Sequence, residues 1–213
     1  MDDTGIVVRA PQRMPRHQID AFVDAHGAWI ERQVQRRRER RLSSLRTLVR
    51  GLSLSVLGRP VMLDIQDGVR RPRWRGDAAG GDVLVLPDAD PVRALETALR
   101  ARALTWFEGR VAEHCHVLGV AVPVVRVGAA RTRWGSCSQR SGIRLHWKLA
   151  LLAPELADYV VAHEVAHLRE MNHSERFWSH VSTLCPDWPA LRKRLRREGE
   201  HVPTFLPPGG GDC

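Results

Sequence analysis

Residues 163–173 read HEVAHLREMNH, and no other stretch of this chain restricts its fold so much. His163 and His167 are four residues apart. On a helix they are separated by about 40° of rotation and one turn of rise, so both imidazoles can face one ion. Glu164, next to the first histidine, is kept by the helix from joining that coordination but can reach a water at the metal. Zinc lowers the pKa of such a water towards about 7, and a neighbouring carboxylate can take its proton and hand it to a leaving group. The flanks, YVVAHEVAHL, are small and apolar. The helix is therefore expected in the interior, where two histidines and a glutamate need a reason to be.

His173 is the expected third ligand, with Glu170, Glu175 and the distant Glu198 as competitors. Six residues past His167 is about 240° around an ideal helix, so the chain must break for His173 to face the same ion. Metzincin peptidases share the HExxHxxxxxH spacing and break the helix with a glycine at its eighth position. Here that position is Glu170, and no methionine follows Met171 to make their later methionine turn. Asn172 offers another joint, since asparagine tolerates a left-handed helix end and also caps a following helix. His173 is then expected at the start of a second helix that Phe177 and Trp178 pin to the core.

The rest of the chain sets the surroundings. With 213 residues, 43% of them apolar and 27% charged, it can bury a full core. No apolar run approaches the roughly 18 residues of a membrane helix, and MDDTGIVV is no signal peptide. Cys115, Cys137, Cys185 and Cys213 are scattered without a CxxC pair, so free thiols and a cytoplasmic location are expected. The net charge is +9, yet lysine occurs only at Lys148 and Lys193. Such an arginine skew fits GC-rich codon usage, although guanidinium forks also suit phosphate.

Along the chain, Ile6–Val8 reads as a short strand. Ile19, Phe22, Val23, Trp29, Ile30 and Val34 make the stripe of an amphipathic helix from about Pro15 to Arg41. Its arginine-rich second half is expected as a solvated face, with nucleic-acid contact the alternative. LSLSVLGRPVMLDI predicts two strands joined by a turn at Gly58-Arg59-Pro60, followed by a loop over 66–82 and the strand DVLVLP. Pro91 opens a helix to about Leu118. VPVVRVG is a strand, RTRWGSCSQRSG a loop, and IRLHWKL an alternating strand with Ile143, Leu145, Trp147 and Leu149 inward. Pro154 starts the motif helix, and two further helices and a short tail follow.

TRWGSCS, then an alternating strand, then DYVVAHEVAHLREMNHSERFW resembles the YgjP-like metallopeptidase family, relatives of the SprT-like zincins. The likeness extends upstream to Ala10-Pro11, Ile19, Phe22 and Trp29-Ile30. It implies an α+β fold: a zincin-like core, a small sheet packed on the HExxH helix, with an N-terminal helix and β-hairpin extension. Residues 1–90 would form the N-terminal part of the family domain, 91–200 the catalytic core and 201–213 a disordered tail. It further implies a zinc ion held by His163, His167 and His173, with Glu164 as base. His146 stands where the family has asparagine before its tryptophan, which could alter substrate recognition or add a fourth metal contact.

The leading expectation is a zinc-dependent metallopeptidase acting on polypeptide. One alternative is a metal-dependent nucleotide pyrophosphohydrolase at the same site, and another a protein that binds nucleic acid through the arginine-rich helix. Trp134–Cys137 either packs structurally or lines the cleft. A peptide is expected along the polar edge of residues 143–149. Arg131, Arg133, Arg144 and Lys148 could hold an anion, Tyr159 could donate to an oxyanion, and EHCH at 113–116 places its histidines too divergently for a metal.

Overall fold

In the computed structural model, which describes residues 8–76, 81–130 and 132–208, the N-terminal helix is two helices. α1 is Arg16–Ala25 and α2 is Gly27–Ser44. His26 leaves helical geometry and its Nδ1 lies 2.8 Å from Phe22 O, just before Gly27, the poorest helix former at hand. The apolar stripe is not buried: Phe22 is 60% exposed and Trp29 56%. Ile6 and Val7 of the expected first strand lie outside the described residues, and Val8 is not in a strand. Residues Met1–Ser44 form one compact unit and Leu45–Cys213 another.

The second unit opens with β1 (Leu45–Thr47). β2 (Ser53–Val56) and β3 (Arg59–Gln66) then form the expected antiparallel hairpin. Leu57 and Gly58 have φ of 50° and 77°, the left-handed backbone that a two-residue hairpin turn requires. A Cβ on Gly58 would stand 2.8 Å from Pro154 Cγ, so the turn is seated against the start of the motif helix. The expected loop over 66–82 contains a strand, β4 (Arg73–Gly76), which pairs antiparallel with β5 (Asp82–Pro87). Its sequence, RWRG, has one apolar residue and so too little alternation to read. β5 also runs parallel to β3, giving the sheet order β2-β3-β5-β4.

α3 (Pro91–Leu118) is capped by the Asp90 side chain and ended by Gly119 at φ 61°. On either side of residue 90, Leu63, Leu84 and Leu86 of the sheet share one core with Leu95, Leu99 and Phe107 of α3. β6 (Val125–Gly128), β7 (Gly135–Ser138) and β8 (Gly142–His146) make a second sheet in the order β6-β8-β7. β7 falls within the stretch expected as a loop, since its small polar residues carry no strand pattern. β8 begins at Gly142, whose φ is 76°, and ends at His146. Trp147–Leu151 is a 3-10 turn that still keeps Trp147 and Leu149 inward.

α4 (Pro154–Ala166) is buried along most of its length and packs on α3 and β7. α5 (Glu175–Leu184) and α6 (Trp188–Glu198) follow. The tail expected to be disordered from residue 201 instead returns to the core. β9 (Thr204–Leu206) pairs parallel with β1, and Val202 and Phe205 are buried; residues 209–213 lie outside the described residues. The fold is α+β, with small mixed sheets beside helices that carry a histidine cluster.

Candidate metal centre and active site

α4 stops at the second histidine of the motif. Leu168 N donates to Val165 O, and Arg169 N and Glu170 N both donate to Ala166 O, a tightened last turn that brings the chain round. The break thus begins at His167, which caps the helix, and not at Asn172. Asn172 has no left-handed φ. Its Oδ1 instead accepts from Ser174 N at 2.9 Å, and Ser174 caps α5 by accepting from Phe177 N. Two side-chain turns in succession therefore set His173 just ahead of α5.

The ring nitrogens of His163, His167 and His173 lie within 4.8 Å of one another and could hold a metal ion. His163 Nε2 and His173 Nε2 are 3.2 Å apart. Two nitrogens each 2.0–2.1 Å from a tetrahedral zinc would be about 3.3 Å apart, so the pair already spans one edge of such a site. His167 Nδ1 is 3.0 Å from Glu170 O. Donation there fixes the tautomer and leaves Nε2 as the lone-pair nitrogen. Burial, with the neighbouring histidines and Arg192, lowers the His163 pKa to about 4. Burial also lowers that of His167, partly offset by its bond to Glu170. Both rings are then neutral near pH 7, as ligation requires. His163 Nδ1 is buried without a hydrogen-bond partner. Phe177 is fully buried, with its ring centroid 4.9, 4.5 and 4.7 Å from the three imidazoles. Trp178 lies 5.9 Å from His163 and from His173.

Glu164 is 6% exposed. Burial lifts its pKa from 4.5 to about 7, against the opposing charge of Arg133. The carboxyl rests on Gly135, where a Cβ would stand 2.5 Å from Glu164 Oε1 and 2.8 Å from its Cδ. Gly135 lies in the Trp134–Cys137 stretch expected either to pack structurally or to line the cleft. Its φ is not positive, and it is needed because the carboxyl approaches its backbone this closely.

The other expected site residues divide. His146 is not among the clustered ligands. Its Nδ1 accepts from Lys148 N at 3.0 Å, and its ring meets Trp134 edge-on at 5.4 Å. Trp134 both packs on Gly199 and lines a cavity with Arg133, His146 and Lys148. Cys137 packs half-buried, its thiol pushed up to about 11 by burial and by the charge of Glu164. Arg144 lies over Gly128, and Arg131 is outside the described residues. Tyr159 is buried, its ring centroid 6.2 Å from that of His163. Of the competing ligands, Glu198 pairs with Arg194 at 2.8 Å. His114, in EHCH, bonds Asp158 of α4 at 2.9 Å. Sequence reasoning missed Arg192 and Arg196 on α6; their i, i+4 spacing was the available signal.

Among known proteins, no curated relative matches this chain. Two solved structures are similar to part of it. One is the metallopeptidase zymogen of Pyrococcus abyssi abylysin, 24% identical over 46% of this chain and 99% of that one, with a TM-score of 0.42. The other is the metallopeptidase zymogen of Methanocaldococcus jannaschii jannalysin, 16% identical over 43% of this chain and 95% of that one, with a TM-score of 0.39. The family model described as YgjP-like, metallopeptidase domain, matches residues 1–198. With nearly the whole chain inside that match, and the histidine cluster in place, the protein belongs to the YgjP-like metallopeptidase family.

Proposed function

We infer that this protein is a zinc-dependent peptidase in which His163, His167 and His173 hold the ion and Glu164 is the general base. One observation carries the reading: a buried carboxyl with a pKa near 7 directly follows the first of three converging imidazoles. A bound zinc would supply Lewis acidity, polarising the scissile carbonyl and making water a better nucleophile.

The chain's own residues do the rest. Glu164 has a proton affinity matched to neutral pH, so it can accept the proton of the attacking water and deliver it to the departing amine nitrogen. Gly135 holds that carboxyl against backbone, limiting the positions it can take. The main chain of β8 is paired on both sides, by β6 and β7, which argues against the peptide track expected along residues 143–149. Among the described residues β7 has a strand partner on one side only, and it carries Gly135 itself. A substrate strand is better placed to add there through main-chain hydrogen bonds.

No helix among the described residues is long and apolar enough to cross a membrane. Cys115, Cys137 and Cys185 are all free thiols, which supports a reducing compartment such as the cytoplasm. The test is to incubate zinc-loaded protein with a peptide library and, separately, a nucleotide panel, reading products by mass spectrometry. Peptides cut by the wild type and spared by Glu164→Gln are the expected result. Nucleoside monophosphate and pyrophosphate, lost in the same variant, would replace the peptidase with phosphoanhydride chemistry.

A further inference from the structure

Behind Trp134 the wall of the site opens into a cavity of about 400 Å³. Among the described residues its lining holds three cations, Arg133, Lys148 and Arg196, and one carboxylate, Glu200, with Trp134 and His146 as an aromatic wall. The cavity adjoins the base. Arg133 acts on Glu164 electrostatically, and Gly135, the residue after Trp134, is the one that Glu164 rests on.

The charges here are unspent in a way that the rest of α6 is not. Arg194 pairs with Glu155 and Glu198, and Arg197 with Glu198. The side chains of Arg192 and Arg196, one turn apart, make no hydrogen bond or ion pair among the described residues, and neither does that of Arg133. Lys148 Nζ donates to a neutral group, Thr204 Oγ1, at 2.9 Å. Arg192 lies over Trp178, which faces the histidines. Like charges gathered in a half-enclosed space repel, and a bound anion relieves that repulsion while the guanidinium fork fits it.

Resting on the peptidase reading, we propose that this cavity is a specificity pocket for a carboxylate of the polypeptide substrate, seated by Arg133 and Arg196. That carboxylate is an aspartate or glutamate side chain, or the free C-terminus of the peptide. The enzyme thereby selects acidic or C-terminal segments among the peptides its β7 edge could otherwise accept.

The experiment compares matched peptides in zinc-loaded full-length protein: an internal Glu against Gln, each with an amidated C-terminus, and a Gln peptide with a free C-terminus. Cleavage gives kcat/KM, and fluorescence anisotropy on Glu164→Gln gives binding without turnover. A preference of about tenfold for one carboxylate source is expected, the size of a charge-assisted hydrogen bond in a partly solvated site. Arg196→Glu should abolish or invert that preference, favouring a Lys peptide, and Arg196→Gln should reduce it; Arg196 is exposed, and circular dichroism confirms the fold. The internal-Glu and free-terminus arms identify the source. Cleavage with equal rates for all three peptides overturns the pocket and leaves the peptidase standing. Carboxylate-selective binding without cleavage by wild type keeps the pocket and removes the peptidase. Single-stranded oligonucleotide binding that Arg196→Glu abolishes, with no preference among peptides, assigns the surface to nucleic acid and overturns the proposal.

Discussion

At Gly135 the missing side chain is the functional feature. A Cβ would overlap the Glu164 carboxyl at 2.5 Å, while the backbone there is ordinary for any residue. Gly135→Ala is therefore expected to fold and to bind one zinc through the untouched histidines, yet to displace the base. A misplacement of about 1 Å lowers kcat/KM on the order of a hundredfold. Zinc content by metal analysis and peptide cleavage are the paired readouts, and activity within threefold of wild type would show that the carboxyl does not need this seat. His163 and His167 were legible because one helical turn puts them on one face. The role of Gly135 was not, because its partner is 29 positions away on another element.

At the scale of elements, α4 is held against α3 by a cluster of charge. Arg110 of α3 donates to Asp158 of α4 through Nε and Nη2 at 2.7 and 2.8 Å, and also bonds Glu113. His114 Nε2 lies 2.9 Å from the same Asp158 carboxyl. Burial raises the Asp158 pKa, but the hydrogen bonds from His114 and Arg110 outweigh it and hold the carboxyl below its ordinary 3.8. A depressed folded-state pKa means the unfolded chain binds the proton more readily. The resulting stability is present above the unfolded pKa and is lost as pH falls from there through the folded value. Asp158→Asn should therefore cost about 1–3 kcal/mol at pH 7, discounted for partial exposure, and progressively less on acidification below pH ~4. Urea unfolding at pH 7 and at low pH checks this, and a pH-independent difference would refute the ionic account. HCH at 114–116 was read by its own spacing alone, and the partner that explains His114 is 44 residues away. α3 was readable end to end and α4 at its start, since Pro91, Gly119 and Pro154 mark those limits, whereas the end of α4 at Ala166 comes before the joint expected at Asn172.

For the molecule as a whole, the second unit is closed by its ends. β1 at its start pairs with β9 near residue 205, register Arg46 with Phe205. Phe205 and Val202 join the core, and Thr204 reaches Lys148 of the carboxylate pocket. Phe205→Ala should cost about 3–5 kcal/mol, as other large-to-small core changes do. Thermal melting with and without zinc measures it; a loss below about 1 kcal/mol would mean that the C-terminal strand is not part of the folding unit. From local composition no such role could be read: VPTFLPPGGG is short, proline-bounded and indistinguishable from a loose tail until β1 supplies its partner.

The sequence by itself determined what depends on neighbours within a turn or two. That includes the histidine pair and its carboxylate, the hairpin at Leu57-Gly58, the long capped helix and the inward residues of β8. The tertiary structure alone decided which strand has the open edge, what Glu164 rests on, where the unpaired arginines of α6 converge and how the C-terminus is held. Local rules of period, capping and turn chemistry act over a few residues and leave a pattern in the chain. Contacts between distant segments depend on packing that no single segment encodes, and they leave none.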